Sequence, residues 1–286
     1  MNKVLIFGYG YVARFLSEKI IANGNVVLAT TRDPNKISAQ IDKLTLIHPD
    51  KVNSKLNDHK DEITHLIVSV PPNETGDVFL KQYKDSLLSM PNLKWIGYLS
   101  ATNVYGDHNG EYVNEFSSLK GTTSKGINRI KAESQWIEHS NENDLPLHIF
   151  RIAGIYGPER NIYERIKLNK FNHIIKHDQY FSRIYINDLV NVLLASMKKP
   201  NPINIYNVAD DMPSSMSDVV EFICQRTSCP TPKKISFEDL DVDQKKQSFY
   251  SENKRINNRL LKEDLGIILK YPSYREGYEE LIENDN

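Results

Sequence analysis

Val4-Leu5-Ile6-Phe7 runs directly into Gly8-Tyr9-Gly10-Tyr11-Val12-Ala13 and then into an amphipathic stretch, Arg14 to Asn23. No other feature restricts the fold of this chain so tightly. A short apolar run reads as a buried strand, and the pattern after it as a tight turn into a helix. Gly8 and Gly10 let the backbone turn sharply and approach a pyrophosphate. Small Ala13 lets the helix pack down on the strand. Tyr9, Tyr11 and Val12 fill the turn, whose free N–H groups face the phosphate charge. Gly-x-Gly-x-x-Ala by itself is weak, but here it lies between a strand and a helix, the context it needs. The alternative is a tight βα turn that binds nothing.

The rest of the first half repeats the alternation. Strands are expected at Asn25 to Thr30, Leu44 to Ile47, His65 to Val70, Trp95 to Ser100 and Leu147 to Ile152. Helices are expected over Asp77 to Ser89 and Ser124 to Ser140, with a polar loop from Asp107 to Thr123. This βαβ order predicts an α/β fold with a doubly wound parallel sheet. A ligand then sits beyond the C-terminal ends of the strands, at the switch point. That gathers Gly8 to Val12, Thr31-Arg32, Ser69-Val70-Pro71 and Ser100 to Thr102 around one crevice. Residues 1–155 form the expected dinucleotide-binding domain, with segments returning near 183–210. Residues 156–286 form a smaller C-terminal substrate lobe. It holds a strand at Ile203 to Val208, a helix from Asp218 to Thr227 capped by Ser217, and a short last helix at Tyr278 to Ile282. The polar stretch Glu238 to Asn258 reads as a surface loop, or as one that orders over substrate.

Lys+Arg 36 against Asp+Glu 37 gives a net charge of −1 over 286 residues. That balance leaves no electrostatic footprint for nucleic acid or anionic membrane. Cys224 and Cys229 are too few for a zinc site or a disulfide framework, and no metal ligands are expected. Met1-Asn2-Lys3 leads straight into a strand, so no secretory leader is expected. No apolar run approaches the ~18–20 residues of a membrane span. The expected location is the cytoplasm.

Further motifs follow in order: Leu99-Ser100-Ala101-Thr102-Asn103-Val104-Tyr105-Gly106, Arg151-Ile152-Ala153-Gly154-Ile155-Tyr156-Gly157-Pro158, Arg183-Ile184-Tyr185-Ile186-Asn187-Asp188 and Tyr206-Asn207-Val208-Ala209. With the glycine turn, the chain resembles the extended short-chain dehydrogenase/reductase superfamily, in its NAD-dependent epimerase/dehydratase group. The spacing is most similar to an atypical branch with an altered active site. The resemblance implies a Rossmann fold and a nucleotide-sugar-like small-molecule substrate.

It also implies a Tyr-x-x-x-Lys pair, whose Tyr is the acid/base and whose Lys holds the nicotinamide ribose. Anchored on Lys131-Ala132-Glu133, these positions carry Lys125 and Arg129 instead. The third catalytic position falls on Ala101, flanked by Ser100 and Thr102. Arg129 cannot deprotonate and can only bind, which suits the ribose role. Lys125 serves as a base only if burial and like charge lower its pKa by several units. Otherwise Lys125 and Arg129 hold anions. The remaining shuttle candidates are Thr102 and Ser100. Tyr105 contacts substrate or packs at the strand end, and Arg183 and Asp188 are structural or substrate-lobe residues.

An acid at the end of the second strand normally accepts the NAD ribose hydroxyls. Thr31 and Arg32 stand there and offer a hydroxyl and a cation to a 2′-phosphate. NADP is favoured over NAD, with Asp33 as the competing ribose partner. Two readings follow: an NADP-dependent oxidoreductase or epimerase, or a dinucleotide-binding sensor without catalysis. Tyr163, Arg165, Lys167, Tyr180, Phe181 and Arg255 are candidates for gripping a diphosphate. Ile127, Ile130, Trp136 and Ile137 either cover the sheet or support a homodimer.

Overall fold

The computed structural model describes residues 2–34, 41–201, 203–240 and 250–285. The first strand, β1 (Lys3–Phe7), turns through Gly8 into α1 (Tyr11–Ala22). β2 (Val26–Thr30) and β3 (Leu44–Ile47) come next, then α2 (Val52–His59), β4 (Ile63–Val68) and α3 (Val78–Leu88). β5 (Trp95–Ala101) precedes β6 (Tyr112–Val113), α4 (Ser124–Glu142) and β7 (Leu147–Ile152). Shorter pieces follow: β8 (Gly154–Tyr156), α5 (Tyr163–Lys167), β9 (His173–Ile175) and β10 (Arg183–Tyr185). Then come α6 (Ile186–Met197), β11 (Asn204–Val208), α7 (Met216–Arg226) and β12 (Lys234–Ser236). β13 (Arg255–Ile256), α8 (Arg259–Leu265) and α9 (Tyr274–Glu283) complete the order.

Seven strands form one sheet in the order β11-β7-β5-β4-β1-β2-β3. β1 pairs in parallel with both β2 and β4, and the chain winds outward from β1 in both directions. The doubly wound α/β expectation holds, with the switch point between β1 and β4. The strands inside the sheet are almost wholly buried, as apolar strands covered on both faces must be. All six residues of β7 are buried, whereas the edge strand β3 is half open. Phe79, Trp136 and Tyr98 build much of the core that α3 and α4 press onto the sheet.

Several boundaries differ from expectation for identifiable reasons. Gly10 is the N-cap of α1, so that helix begins at Tyr11. β4 stops at Val68, and the Ser69 N–H makes its last bond to β1, at Phe7 O. Ser215, not Ser217, caps α7 through a reciprocal box with Asp218. Ser273 does the same with Glu276, so the last helix begins at Tyr274. Within the Asp107 to Thr123 loop, β6 pairs with β13. Part of the Glu238 to Asn258 stretch, 241–249, lies outside the described residues.

The chain divides into two compact units. One comprises 1–101, 124–151 and 190–206, and holds the glycine turn and most of the sheet. The other comprises 102–123, 152–189 and 207–286.

Candidate functional site

Gly8 has φ +111°, and a Cβ there would lie 2.8 Å from both Ser69 Oγ and Val70 Cγ2. Only glycine satisfies both constraints. Its N–H donates to Thr30 Oγ1 at 2.8 Å, the Tyr9 N–H donates to Thr30 O at 2.7 Å, and Ser69 Oγ donates to Gly8 O at 2.6 Å. β1, β2 and β4 thus lock the turn between them. A Cβ on Gly10 would meet nothing, and α1 has neither a side-chain cap nor an acid in its first turn. Its leading N–H groups are left for an anion. Tyr11 and Phe15 pack ring to ring at 5.1 Å beneath the Arg14 guanidinium. Val12 is half-buried beside them, and Ala13 is buried against the sheet. This geometry fits a dinucleotide pyrophosphate.

At the end of β2, Thr30 is buried, Thr31 half-buried and Arg32 exposed. The Thr31 hydroxyl accepts the Asp33 N–H at 3.3 Å and closes a small turn. The role of Thr30 was not evident in the sequence; a hydroxyl residue ending the strand after a glycine turn was the available signal. Ser69 and Val70 are half-buried against Gly8, and Pro71 is exposed.

On α4, Lys125 is exposed, without the burial that a lysine base requires. Arg129 is half-buried one turn further on, with Nε and Nη1 sealed from solvent. Ser100 lies 3 % exposed at the end of β5 and donates its hydroxyl to Glu133 Oε1 at 2.5 Å. Glu133 also takes Nη2 and Nε of Arg151 at 2.8 and 3.1 Å. Ser100 therefore belongs to a buried ionic network within the sheet and its covering helix. Glu133 served the sequence reading only as a spacing anchor. Thr102, half-buried, opens a single 3-10 turn in the other unit.

In that second unit, Tyr105 is fully buried and donates to Asn207 Oδ1 at 2.6 Å, so it packs. Gly106, at φ +68°, lets the chain pass Lys120, whose carbonyl a Cβ would meet at 2.1 Å. Asp188 accepts the N–H groups of Lys270 and Tyr271 at 3.0 and 2.7 Å. Arg183 is held by Phe181 O and Ser214, so both are structural within their unit. Tyr163 and Lys167 both bind Asp285, and Arg165 covers Phe171. Phe181 packs edge-on against Tyr250. Arg255 differs: its guanidinium lies between Tyr180 and Tyr112, 4.0 and 5.4 Å from the ring centres, with Nε sealed and unpartnered. On α4, Trp136 is buried and Ile137 packs against the core, so these two cover the sheet; Ile127 is exposed. No described helix is long and apolar enough to cross a membrane.

The strand order and the phosphate-ready turn define a dinucleotide-binding Rossmann fold. The chain belongs to the NAD dependent epimerase/dehydratase family, whose model matches residues 4–209. It is 39 % identical to a conserved protein of unknown function from Silicibacter pomeroyi DSS, with a TM-score of 0.92 over 99 % of both chains. MoeE5 in complex with UDP-glucose and NAD has the same fold, at 18 % identity and a TM-score of 0.75, covering 99 % of this chain and 98 % of that one. The dTDP-D-glucose 4,6-dehydratase of Homo sapiens is 24 % identical over 138 residues, 45 % of this chain. The match spans 39 % of that dehydratase's length.

Proposed function

We propose that this protein binds NADP(H) and uses it on a hydroxyl or keto carbon of a nucleotide-sugar-like substrate. The observation that carries the cofactor choice is the end of β2. Among the described residues no carboxylate meets Gly8 there; Thr30 holds the turn, and exposed Arg32 follows. A carboxylate would repel a 2′-phosphate, whereas a guanidinium attracts it. The bound cofactor supplies hydride acceptance and return. The chain's own residues bind and orient: the α1 N-terminus takes the pyrophosphate, and Arg129 takes the nicotinamide ribose in place of the family's lysine. Among the candidates for proton movement, the Ser100 hydroxyl is donated to Glu133, and exposed Lys125 gains the burial a lysine base requires only under a bound substrate, so Thr102 and a substrate-covered Lys125 are left. Nucleotide-sugar chemistry is supported by the family and by the UDP-glucose complex of MoeE5. Arg255 between two tyrosines offers a rigid cation suited to a substrate phosphate.

A second reading, a dinucleotide-binding sensor, is favoured by one observation. Ala101 stands at one catalytic position, and the neighbouring Ser100 hydroxyl is tied to Glu133. Calorimetric titration with NADPH and NADH tests the cofactor choice. Arg32→Ala is expected to weaken NADPH about tenfold, the equivalent of ~1.4 kcal/mol, and to leave NADH unchanged. Equal loss for both, or none, overturns the NADP assignment. Lys125→Ala then separates the two functions: turnover of a nucleotide sugar lost with NADPH still bound supports the enzyme. NADPH binding without turnover in the unaltered protein supports the sensor.

A further inference from the structure

Arg129 lies one helical turn before Glu133 on α4, so the two side chains share the face turned toward the sheet. Glu133 is fully paired there; the inner edge of Arg129 is not. The sealed polar atoms of the same unit include the Tyr98 hydroxyl, Asp77 Oδ2 and Trp136 Nε1, with Asp77 interacting with Trp136 and Tyr98 with Arg129. Tyr98 is 0 % exposed in the middle of β5, and its ring lies 6.1 Å from that of Trp136. Asp77 caps α3, accepting the Leu80 N–H at 2.9 Å through its other oxygen. Burial raises the Tyr98 pKa most, the Asp77 and Glu133 carboxylates raise it further, and the Arg129 cation, which also hydrogen-bonds the phenol, lowers it. Burial dominates, so the phenol stays protonated. A guanidinium with idle buried donors is costly unless a neighbouring oxygen faces it. Tyr98, fixed in a central strand, supplies one.

We propose that Tyr98 is a positioning residue: its phenol, backed by Asp77, holds the inner edge of the Arg129 guanidinium against β5 and aims the outer edge at the cofactor. The inference rests on reading Arg129 as a ribose-holding residue. A planar fork pinned along one edge keeps its other donors in a fixed direction, which a flexible ammonium would not. Tyr98→Phe keeps the ring and its packing and removes only the oxygen. The test is a double-mutant cycle of Y98F and R129M, read as NADPH affinity by fluorescence and as the urea midpoint without cofactor. Y98F is expected to weaken NADPH binding about fivefold when Arg129 is present. In the R129M background the loss is expected to fall below about 1.5-fold, with non-additive urea midpoints. R129K replaces R129M if the latter does not fold. Equal losses from Y98F in both backgrounds, or none in either, overturn the inference and leave the Arg129 reading intact if R129M alone weakens binding. An R129M protein that binds NADPH like the unaltered one overturns the reading of Arg129, and the inference with it.

Discussion

Ser100 and Glu133 show how a residue that reads as chemistry in the sequence can belong to the core. The Ser100–Glu133–Arg151 network lies on side chains at most 4 % exposed for its ion pair. Breaking a buried pair leaves a charge uncompensated, so Glu133→Gln is expected to cost about 3 kcal/mol in urea unfolding. Ser100→Ala is expected to cost about 1 kcal/mol and to leave NADPH affinity unchanged. A loss of affinity in that variant would return Ser100 to the reacting centre. Gly8→Ala meets both a positive φ and contacts at 2.8 Å, so it is expected to abolish cofactor binding and to lower stability by about 2 kcal/mol. The requirement at Gly8 was legible because the backbone imposes it through adjacent residues. The partners of Ser100 come from α4 and β7, far along the chain, and no local pattern encodes them.

At the next level up, end chemistry and apolar patterning separate what could be read from what could not. β1, β4, β5 and β7 announce themselves because each is apolar along nearly its whole length, as a covered parallel strand must be. The pairs β6–β13, β8–β10 and β9–β12 involve strands of two or three residues, too short for any period to show. They exist because tertiary contacts bring their edges together. Helices α1, α7 and α9 begin two to four residues before their expected starts, because their caps lie upstream. Ser215 and Ser273 each form a reciprocal box with the third helical residue. Ser215→Ala and Ser273→Ala are each expected to cost about 1 kcal/mol, measured as a drop in the urea midpoint with no change in its slope. On α4, the positions of Lys125 and Arg129 were legible from spacing. Their contrasting burial was not, because it depends on which turn of the helix overhangs the sheet.

Across the whole molecule, two of the buried histidines, His65 and His173, set a pH response. His65 is 5 % and His173 0 % exposed, and burial lowers the pKa of each below the usual 6.5. The unfolded chain then takes up protons before the folded one does. Their contribution is full above about pH 6.5 and is lost as pH falls through the depressed folded values. The urea midpoint is expected to drop between pH 7.5 and 5.5, and His65→Gln to shrink that drop. An equal drop in the variant would remove His65 from the cause.

The two compact units are interleaved, and the chain passes from one to the other after residues 101, 123, 151, 189 and 206. No single cut yields either unit whole. On the ribosome, β7 emerges with an open edge that stays bare until β11 arrives at Asn204. A bare edge on a strand this rich in apolar residues invites pairing with another chain. Fragments that stop near residue 155 are therefore prone to self-association, and the sheet closes only once most of the polypeptide has been synthesised.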